Sequence, residues 1–425
     1  MNSVDTIWVL ISATLVLLMT PALAIFYGGM VRAKSVLNMI MMSFATMGTI
    51  TILWVAYGYS LVFGDDSGSG LIGNFSHLGL SGAVTELVGG EGHQIPAAAF
   101  VFFQMTFAII TTALLSGVVA DRIRFSSWLI FSAAWFTVVY IPLAHMAFAS
   151  QSGHGGWLVD HLGALDFAGG TAVEMNSGAS ALALAFVIGK RLGFKRDPMR
   201  PHNLPFVLLG AGLLWFGWFG FNAGSALAVT GTAAVAAINT QIATAVAALA
   251  WVVVETRRDG KPTTLGIASG AISGAVAITP ACGYVSPLGA VLIGLAAGVC
   301  CAIAIGLKYK FGYDDSLDIV GVHGVGGIVG MISIGLLATN AINPVISNGL
   351  IAGGGFELLG KQLVAIVVTI AFAFVATWCV AKLVERFWGL RVEPEVEIAG
   401  VDTNLHAESA YDFTGVAGAG HLGRL

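Results

Sequence analysis

Charge is what this sequence has least of. Its 425 residues include 19 Lys and Arg and 23 Asp and Glu, 10% of the chain, where a soluble domain carries roughly 25%. That is too little to solvate a soluble multidomain enzyme, and far from the charged, apolar-poor composition of a disordered chain. The net charge of −4 provides no basic footprint for phosphate and excludes a nucleic-acid binder. Cysteine is also scarce. Cys282, Cys300, Cys301 and Cys379 form no CxxC and no Cys/His cluster at zinc spacing, so they are expected to be packed, unpaired thiols. HExxH, GxSxG and GxxxxGK[ST] are all missing, which leaves metalloprotease, serine hydrolase and P-loop ATPase readings without support. No cofactor or resident metal is expected.

What fills the chain is apolar. Hydrophobic residues make up 57% and glycine contributes 56 residues, with a mean hydropathy of +0.87. This composition predicts an all-α polytopic membrane protein whose glycines allow close helix packing. Apolar stretches of about 20 residues predict eleven transmembrane helices, at 7–31, 38–63, 96–120, 126–149, 167–189, 203–223, 231–254, 264–281, 287–307, 318–338 and 361–388. The first stretch follows MNSVDTIW, which has no Lys or Arg. It is too long for a signal-peptide core of about 7–15 residues and is expected to be a retained span. Residues 1–388 form the transmembrane domain and 389–425 a polar tail.

The positive residues set the orientation. With the N-terminus outside, Arg32, Lys34, Arg122, Arg124, the loop 190–200, Arg257, Arg258, Lys261, Lys308, Lys310, Lys382, Arg386, Arg391 and Arg424 all fall on the inner face. Lys361 alone falls outside. The positive-inside rule therefore predicts N-out and C-in. The outer connections are mildly acidic, and Asp65, Asp66, Glu86 and Glu91 in the long connection 64–95 read as ordinary loop solubility.

Ionisable residues deep in a span are expensive and mark function. Glu174 lies eight residues after Asp166 at the start of the fifth span, and His323 lies eight after Asp315 at the tenth. The two spans start on opposite faces, as two inverted five-helix repeats plus one extra helix would arrange them. Eight residues of helix rise about 12 Å, so Glu174 is expected near mid-membrane, facing His323. Asp166 opens DFAGG and is expected to cap its helix. Phe107, Phe148, Trp218 and Phe221 are candidates to line a path. Ser225, in FNAGS after Phe221, offers a hydroxyl beside aromatic faces that suits a small cation.

Several stretches together resemble the ammonium transporter family, which includes methylammonium permeases and Rhesus proteins. They are FYGGMVRAKSVLN at 26–38, ADRIRFSSWLIF at 120–131, YIPLAHM at 140–146, DFAGGTAVEMNSG at 166–178, WFGWFGFNAGS at 215–225, DDSLDIVGVHGVGGIVG at 314–330, GLRVEPEVEIAGVD at 389–402 and LHAESAY at 405–411. The resemblance implies eleven helices, a homotrimer in the cytoplasmic membrane and one pore per subunit for ammonium and methylammonium. It implies a recruitment site at Phe107, Phe148 and Ser225, a phenyl gate of Phe107 over Phe221, and a pore pair in which Glu174 replaces the usual histidine and faces His323. Asp166 is implied as the family's helix-start aspartate, and Trp218 as a structural neighbour of the pore. Phe148 stands where the family usually has tryptophan. The basic loop and tail are implied to meet a PII-type signal protein. The competing expectations are an ammonium sensor that signals through its tail to a separate partner and a sodium-coupled symporter.

Overall fold

The computed structural model describes residues 1–151 and 155–411. Arg424 and the end of the tail lie outside the described residues. Ten helices are long and apolar enough to cross a membrane: α1 (Ser3–Met30), α2 (Ala33–Phe63), α3 (Ala97–Gly117), α4 (Phe125–Phe148), α5 (Gly170–Ile188), α6 (Leu204–Gly224), α7 (Gly231–Asp259), α9 (Pro287–Phe311), α10 (Val320–Leu337) and α11 (Glu357–Trp388). An eleventh, α8 (Thr264–Ile278), is apolar but only 15 residues long. At 1.5 Å per residue it spans about 22 Å, and the chain runs on from it into turns at 279–284. The helices match the eleven predicted stretches in order. The long connection between α2 and α3 adds a short antiparallel pair, β1 (Leu87–Val88) with β2 (Ile95–Pro96).

Capping residues in the sequence start these helices. Asn2, Asn203, Thr230, Thr263 and Ser286 each accept a first-turn backbone N–H at α1, α6, α7, α8 and α9, which satisfies donors that no apolar residue can serve. Glycine then sets how close the helices come. Gly210, Gly217, Gly220 and Gly224 face Phe26, Met19, Leu15 and Ser12 so closely that a Cβ at any of them would collide with α1. Gly270 and Gly274 of α8, and Gly294 and Gly298 of α9, press in the same way on Ala243 and Ala247 of α7. Small residues four apart are the membrane solution to packing where lipid supplies no hydrophobic drive.

The repeat read from sequence has a physical counterpart. Asp166 accepts the N–H of Gly170, four residues on, and Asp315 accepts that of Val320, five residues on. Three residues after each aspartate the chain turns left-handed, at Gly169 (φ +116°) and Asp318 (φ +65°). Each helix then opens with a π-helical turn, Gly170–Met175 in α5 and Val320–Gly324 in α10. α1–α5 and α6–α10 thus form two halves with matching α5 and α10 entries, and α11 packs along α5, α4 and α10.

Two of the four thiols depart from expectation. Cys282 and Cys301 are buried, but Cys300 and Cys379 face outward from apolar helices. Adjacent residues lie about 100° apart on a helix, and on α9 that step turns Cys300 to the outer surface and leaves Cys301 inside.

The basic face is tied by buried ion pairs. Arg191 grips Asp314 through Nε and Nη2 at 2.9 and 2.8 Å, and Arg122 donates to the Asp314 carbonyl at 2.8 Å. Burial opposes the Asp314 charge, but the Arg191 hydrogen bonds and the Arg122 charge outweigh it and hold this carboxyl below the usual range. A depressed carboxylate contributes its full stability above the unfolded value of about 3.9 and loses it as pH falls through the folded value. Thermal unfolding in detergent is therefore expected to lose melting temperature below about pH 4. Asp314→Ala should cost about 3 kcal/mol at neutral pH, because it leaves the buried Arg191 only the longer 3.4 Å contact with Asp121 among its carboxylate partners. Equal melting curves for the two chains would remove this role.

The described part of the tail folds back on the same face. It contains α12 (Pro394–Ala399) and α13 (Val401–His406). Asp402 accepts the Leu37 and Asn38 N–H groups at 3.0 and 2.9 Å, and Glu397 accepts that of Leu192 at 2.7 Å while pairing with Arg391. Lys34 donates to the Ile398 carbonyl.

Candidate functional site

A cavity of about 450 Å³ opens on the face opposite the basic one, and Phe107, Phe148, Ser225 and Asp166 all line it. Below it lies a second cavity of only about 20 Å³, lined by Phe221, Trp218, Glu174, His323 and apolar side chains of α1, α3, α6 and α8. Phe107 borders the first cavity and Phe221 the second. Their ring centroids are 4.2 Å apart at 33°, tilted rather than parallel. With 2% and 1% exposure the two rings form a septum between the compartments.

Each site residue has a structural reason for its place. Ser225 ends α6, and its hydroxyl donates to the Phe221 carbonyl at 2.7 Å. Its single proton is committed, so the oxygen can offer the cavity only lone pairs, the right complement to a donor-only cation. The loop after it is anchored where Asp5 accepts the Val229 N–H at 2.7 Å. Phe148 ends α4 and presents its ring to the same cavity. Trp218 spends its indole N–H on Thr279 at 2.9 Å, so it meets the narrow cavity as an apolar wall.

Asp166 accepts four hydrogen bonds, from the N–H groups of Gly169, Gly170 and Thr171 at 2.8, 2.7 and 2.8 Å and from the Thr171 hydroxyl at 2.5 Å. The loop before it is held by Gln362 of α11, which both donates to and accepts from the Leu165 backbone. Beyond the cap, the π-turn carries Glu174 inward. Gly178 of α5 and Gly324 of α10 touch backbone to backbone, and neither tolerates a Cβ without displacement. This approach brings His323 Nδ1 to 2.7 Å from Glu174 Oε2, with exposures of 5% and 1%. A space of about 20 Å³ accommodates about one water-sized molecule, and among the described residues the Glu–His pair is its only ionisable lining. On the basic face a third cavity, of about 430 Å³, is bounded by Met30, Leu265, Leu317 and Asp318 together with Arg191, Lys195 and Lys308.

A family model of the Ammonium Transporter Family matches residues 7–411. The chain belongs to that family. An ammonium transporter of Mycobacterium tuberculosis is 52% identical to this member, over 98% of the chain and 91% of that protein. The crystal structure of Saccharomyces cerevisiae Mep2 shares 32% identity, covers 93% of this chain and 88% of its own, and superposes with a TM-score of 0.85. A structure titled Sensor Amt Protein is similar at 27% identity, 95% and 98% coverage and a TM-score of 0.86. This family member is a multi-pass membrane protein.

The structure places Phe107, Phe148, Asp166 and Ser225 around the wide cavity and Trp218, Phe221, Glu174 and His323 around the narrow one. Sequence reasoning passed over others. Gln104 lines the wide cavity one helical turn before Phe107, and its i, i+3 spacing to that ring was the available signal. Met19, Leu23, Phe26, Leu114, Leu214 and Ile272 line the narrow one, and nothing in an apolar helix sequence marks which residues face a pore. Asp66, read as loop solubility, instead accepts the Gly68 and Gly70 N–H groups of its own loop and faces Nε2 of His145 on α4.

The septum makes a specific prediction. Phe221→Ala removes one of its two rings and joins the cavities. Reconstituted Phe221→Ala protein is expected to pass more potassium relative to ammonium than the parent does, because joining the cavities lets hydrated ions past the septum. Unchanged selectivity would show that Phe221 does not gate.

Proposed function

We propose that this protein carries ammonium and methylammonium across the cytoplasmic membrane, N-terminus outside and tail inside, as transport rather than catalysis. One observation carries the reading: a wide cavity with cation-accepting groups is separated by a phenyl septum from a narrow apolar passage whose only ionisable lining among the described residues is one Glu–His hydrogen bond.

The chemistry follows from solvation. Stripping water from a small cation costs tens of kcal/mol on a Born estimate, so an apolar passage of this bore does not take bare ammonium. At the wide cavity Phe107 and Phe148 supply ring faces, and Ser225 supplies an oxygen that can only accept. Ammonium has N–H groups to give and a proton to lose, whereas potassium has neither. Deprotonation lets neutral ammonia enter the dry segment, and Glu174 with His323 provides a place for a proton to be held. Asp166 acts by holding the α5 entry rather than by binding the cation. Trp218 acts as a wall.

Two coarser features belong to the same reading. A homotrimer with one pore per subunit would cover part of the apolar outer surface, on which Ile52, Leu249, Leu288 and Val367 are among the most exposed side chains. The basic loop 190–200 and the folded-back tail flank the inner mouth, where a PII-type signal protein would find both charge and shape. Transport is preferred to sensing because a curated relative at 52% identity bears the transporter name.

Liposomes holding the full chain test the proposal. An ammonium pulse is expected to evoke uptake or current that potassium does not evoke and that sodium does not modify. A sodium requirement would point to a symporter, and absence of any ammonium response would end the transport reading.

A further inference from the structure

The geometry points to His145 and Asp66 as a charged pair that positions the Phe148 wall of the wide cavity, an inference that rests on that cavity being the recruitment site. His145 lies on α4 three residues before Phe148 and is fully buried. Its Nδ1 is 2.7 Å from the Val62 carbonyl and its Nε2 is 3.1 Å from Asp66 Oδ1.

With the Asp66 carboxyl held below the usual range and so ionised, hydrogen counting sets the protons on the ring. A carbonyl oxygen has no proton, so Nδ1 donates to Val62. Asp66 already takes the Gly68 N–H on Oδ2 at 2.5 Å and the Gly70 N–H on Oδ1 at 2.8 Å, the pattern of an ionised carboxylate that can only accept. Nε2 must then donate as well. A neutral imidazole has a single N–H, so this ring is an imidazolium, and the pair is neutral only as a whole. Consistently, burial opposes the Asp66 charge, but the Gly68, His145 and Gly70 hydrogen bonds hold its carboxyl below the usual range.

The pair fastens one loop to another. Asp66 N–H donates to Gln151 Oε1 at 3.2 Å, Gln151 Nε2 donates to the Gly64 carbonyl at 3.0 Å, and Trp157 N–H donates to that of Gly70 at 2.7 Å. Segment 64–73 is thereby strapped to the stretch that carries Phe148, Ala149, Ser150 and Gln151 of the cavity wall. The other titratable groups on elements packed against the His145 turn are Tyr140 in the preceding turn of α4, Tyr59 at the end of α2, Asp160 and His161 in the turn Trp157–His161, and Glu174. Asp160 is engaged with Ser150 and the Gln151 N–H, and Glu174 with His323. Asp66 is therefore the anion that faces the ring.

When His145 loses a proton, either Val62 or Asp66 loses its donor and the strap loosens. The expected consequence is weaker recruitment at alkaline pH. KM for methylammonium should rise roughly tenfold, the loss of one hydrogen bond to a charged group, while kcat changes little because the pore is untouched. Asp66→Asn supplies an amide N–H to Nε2, so a neutral imidazole then suffices, at the expense of the Gly70 contact.

The test uses the full chain in lipid bilayers, with three readouts. Solid-state NMR of nitrogen-15 histidine is expected to show both His145 nitrogens protonated at about pH 7 in the parent and one in Asp66→Asn. Amide exchange over 64–73 should rise at alkaline pH in the parent and vary less in Asp66→Asn. The alkaline rise in KM should flatten in that variant while kcat stays close to the parent's. A singly protonated His145 in the parent overturns the pair, and this measurement needs no variant. A doubly protonated ring with pH-independent exchange and KM overturns the positioning role. Were the parent to transport no methylammonium, the recruitment reading would fail, while NMR and exchange would still decide the pair and its strap.

Discussion

Glu174→Leu is expected to cut ammonium-evoked current by roughly ten- to a hundredfold, while Glu174→His keeps current but changes its pH profile. The carboxylate side chain is 1% exposed and has His323 Nδ1 at 2.7 Å as its hydrogen-bond partner. Losing a hydrogen bond that involves a charged group costs about 1.5–3 kcal/mol, and each 1.4 kcal/mol on a barrier is roughly tenfold in rate. Leucine fills the space but holds no proton, and it leaves the facing imidazole nitrogen without a partner in an apolar passage. Histidine restores a proton-holding pair of different chemistry. Two coupled groups titrate as a unit, so exchanging one member alters the response of both. Currents recorded from both variants and the parent across about pH 5–8, the range in which histidine ordinarily titrates, decide the matter. Coincident profiles for all three would make Glu174 a packing residue.

Asp166→Ala is expected to lower stability by several kcal/mol and abolish uptake with it. The carboxylate satisfies three backbone N–H groups and a hydroxyl at the α5 entry. A lost N-cap costs about 0.5–2 kcal/mol, and each further buried donor left unpaired about 1–3 kcal/mol. Glu174 follows two turns later on the same helix, so the change displaces the pore pair as well. Asp166→Asn keeps one acceptor oxygen and should fall between the parent and Asp166→Ala in both melting temperature and uptake. Uptake lost with an unshifted melting temperature would instead assign Asp166 a direct contact with the cation.

The eleven helices, their order and the like spacing of the two aspartate-led entries were legible in the sequence, because a hydrocarbon layer imposes a length and an apolar composition that no other environment demands. Scarce charge made Asp166, Glu174 and His323 conspicuous before any contact was visible, whereas His145, equally inside a predicted span and fully buried, was passed over. Tertiary structure alone decided how those residues meet. The Gly178–Gly324 contact and the two π-turns close the distance between Glu174 and His323, and a backbone approach depends on both partners, which no single stretch of sequence displays. The same holds for the direction each residue faces. Cys300 and Cys301 are identical neighbours with opposite exposure, and Leu23 or Ile272 lines the passage while other leucines and isoleucines meet lipid. Asp66 shows the limit most clearly. Its partner His145 lies 79 residues away, so its role depends on which loop the fold places against it, whereas the sequence shows only an acidic residue in a glycine-rich connection.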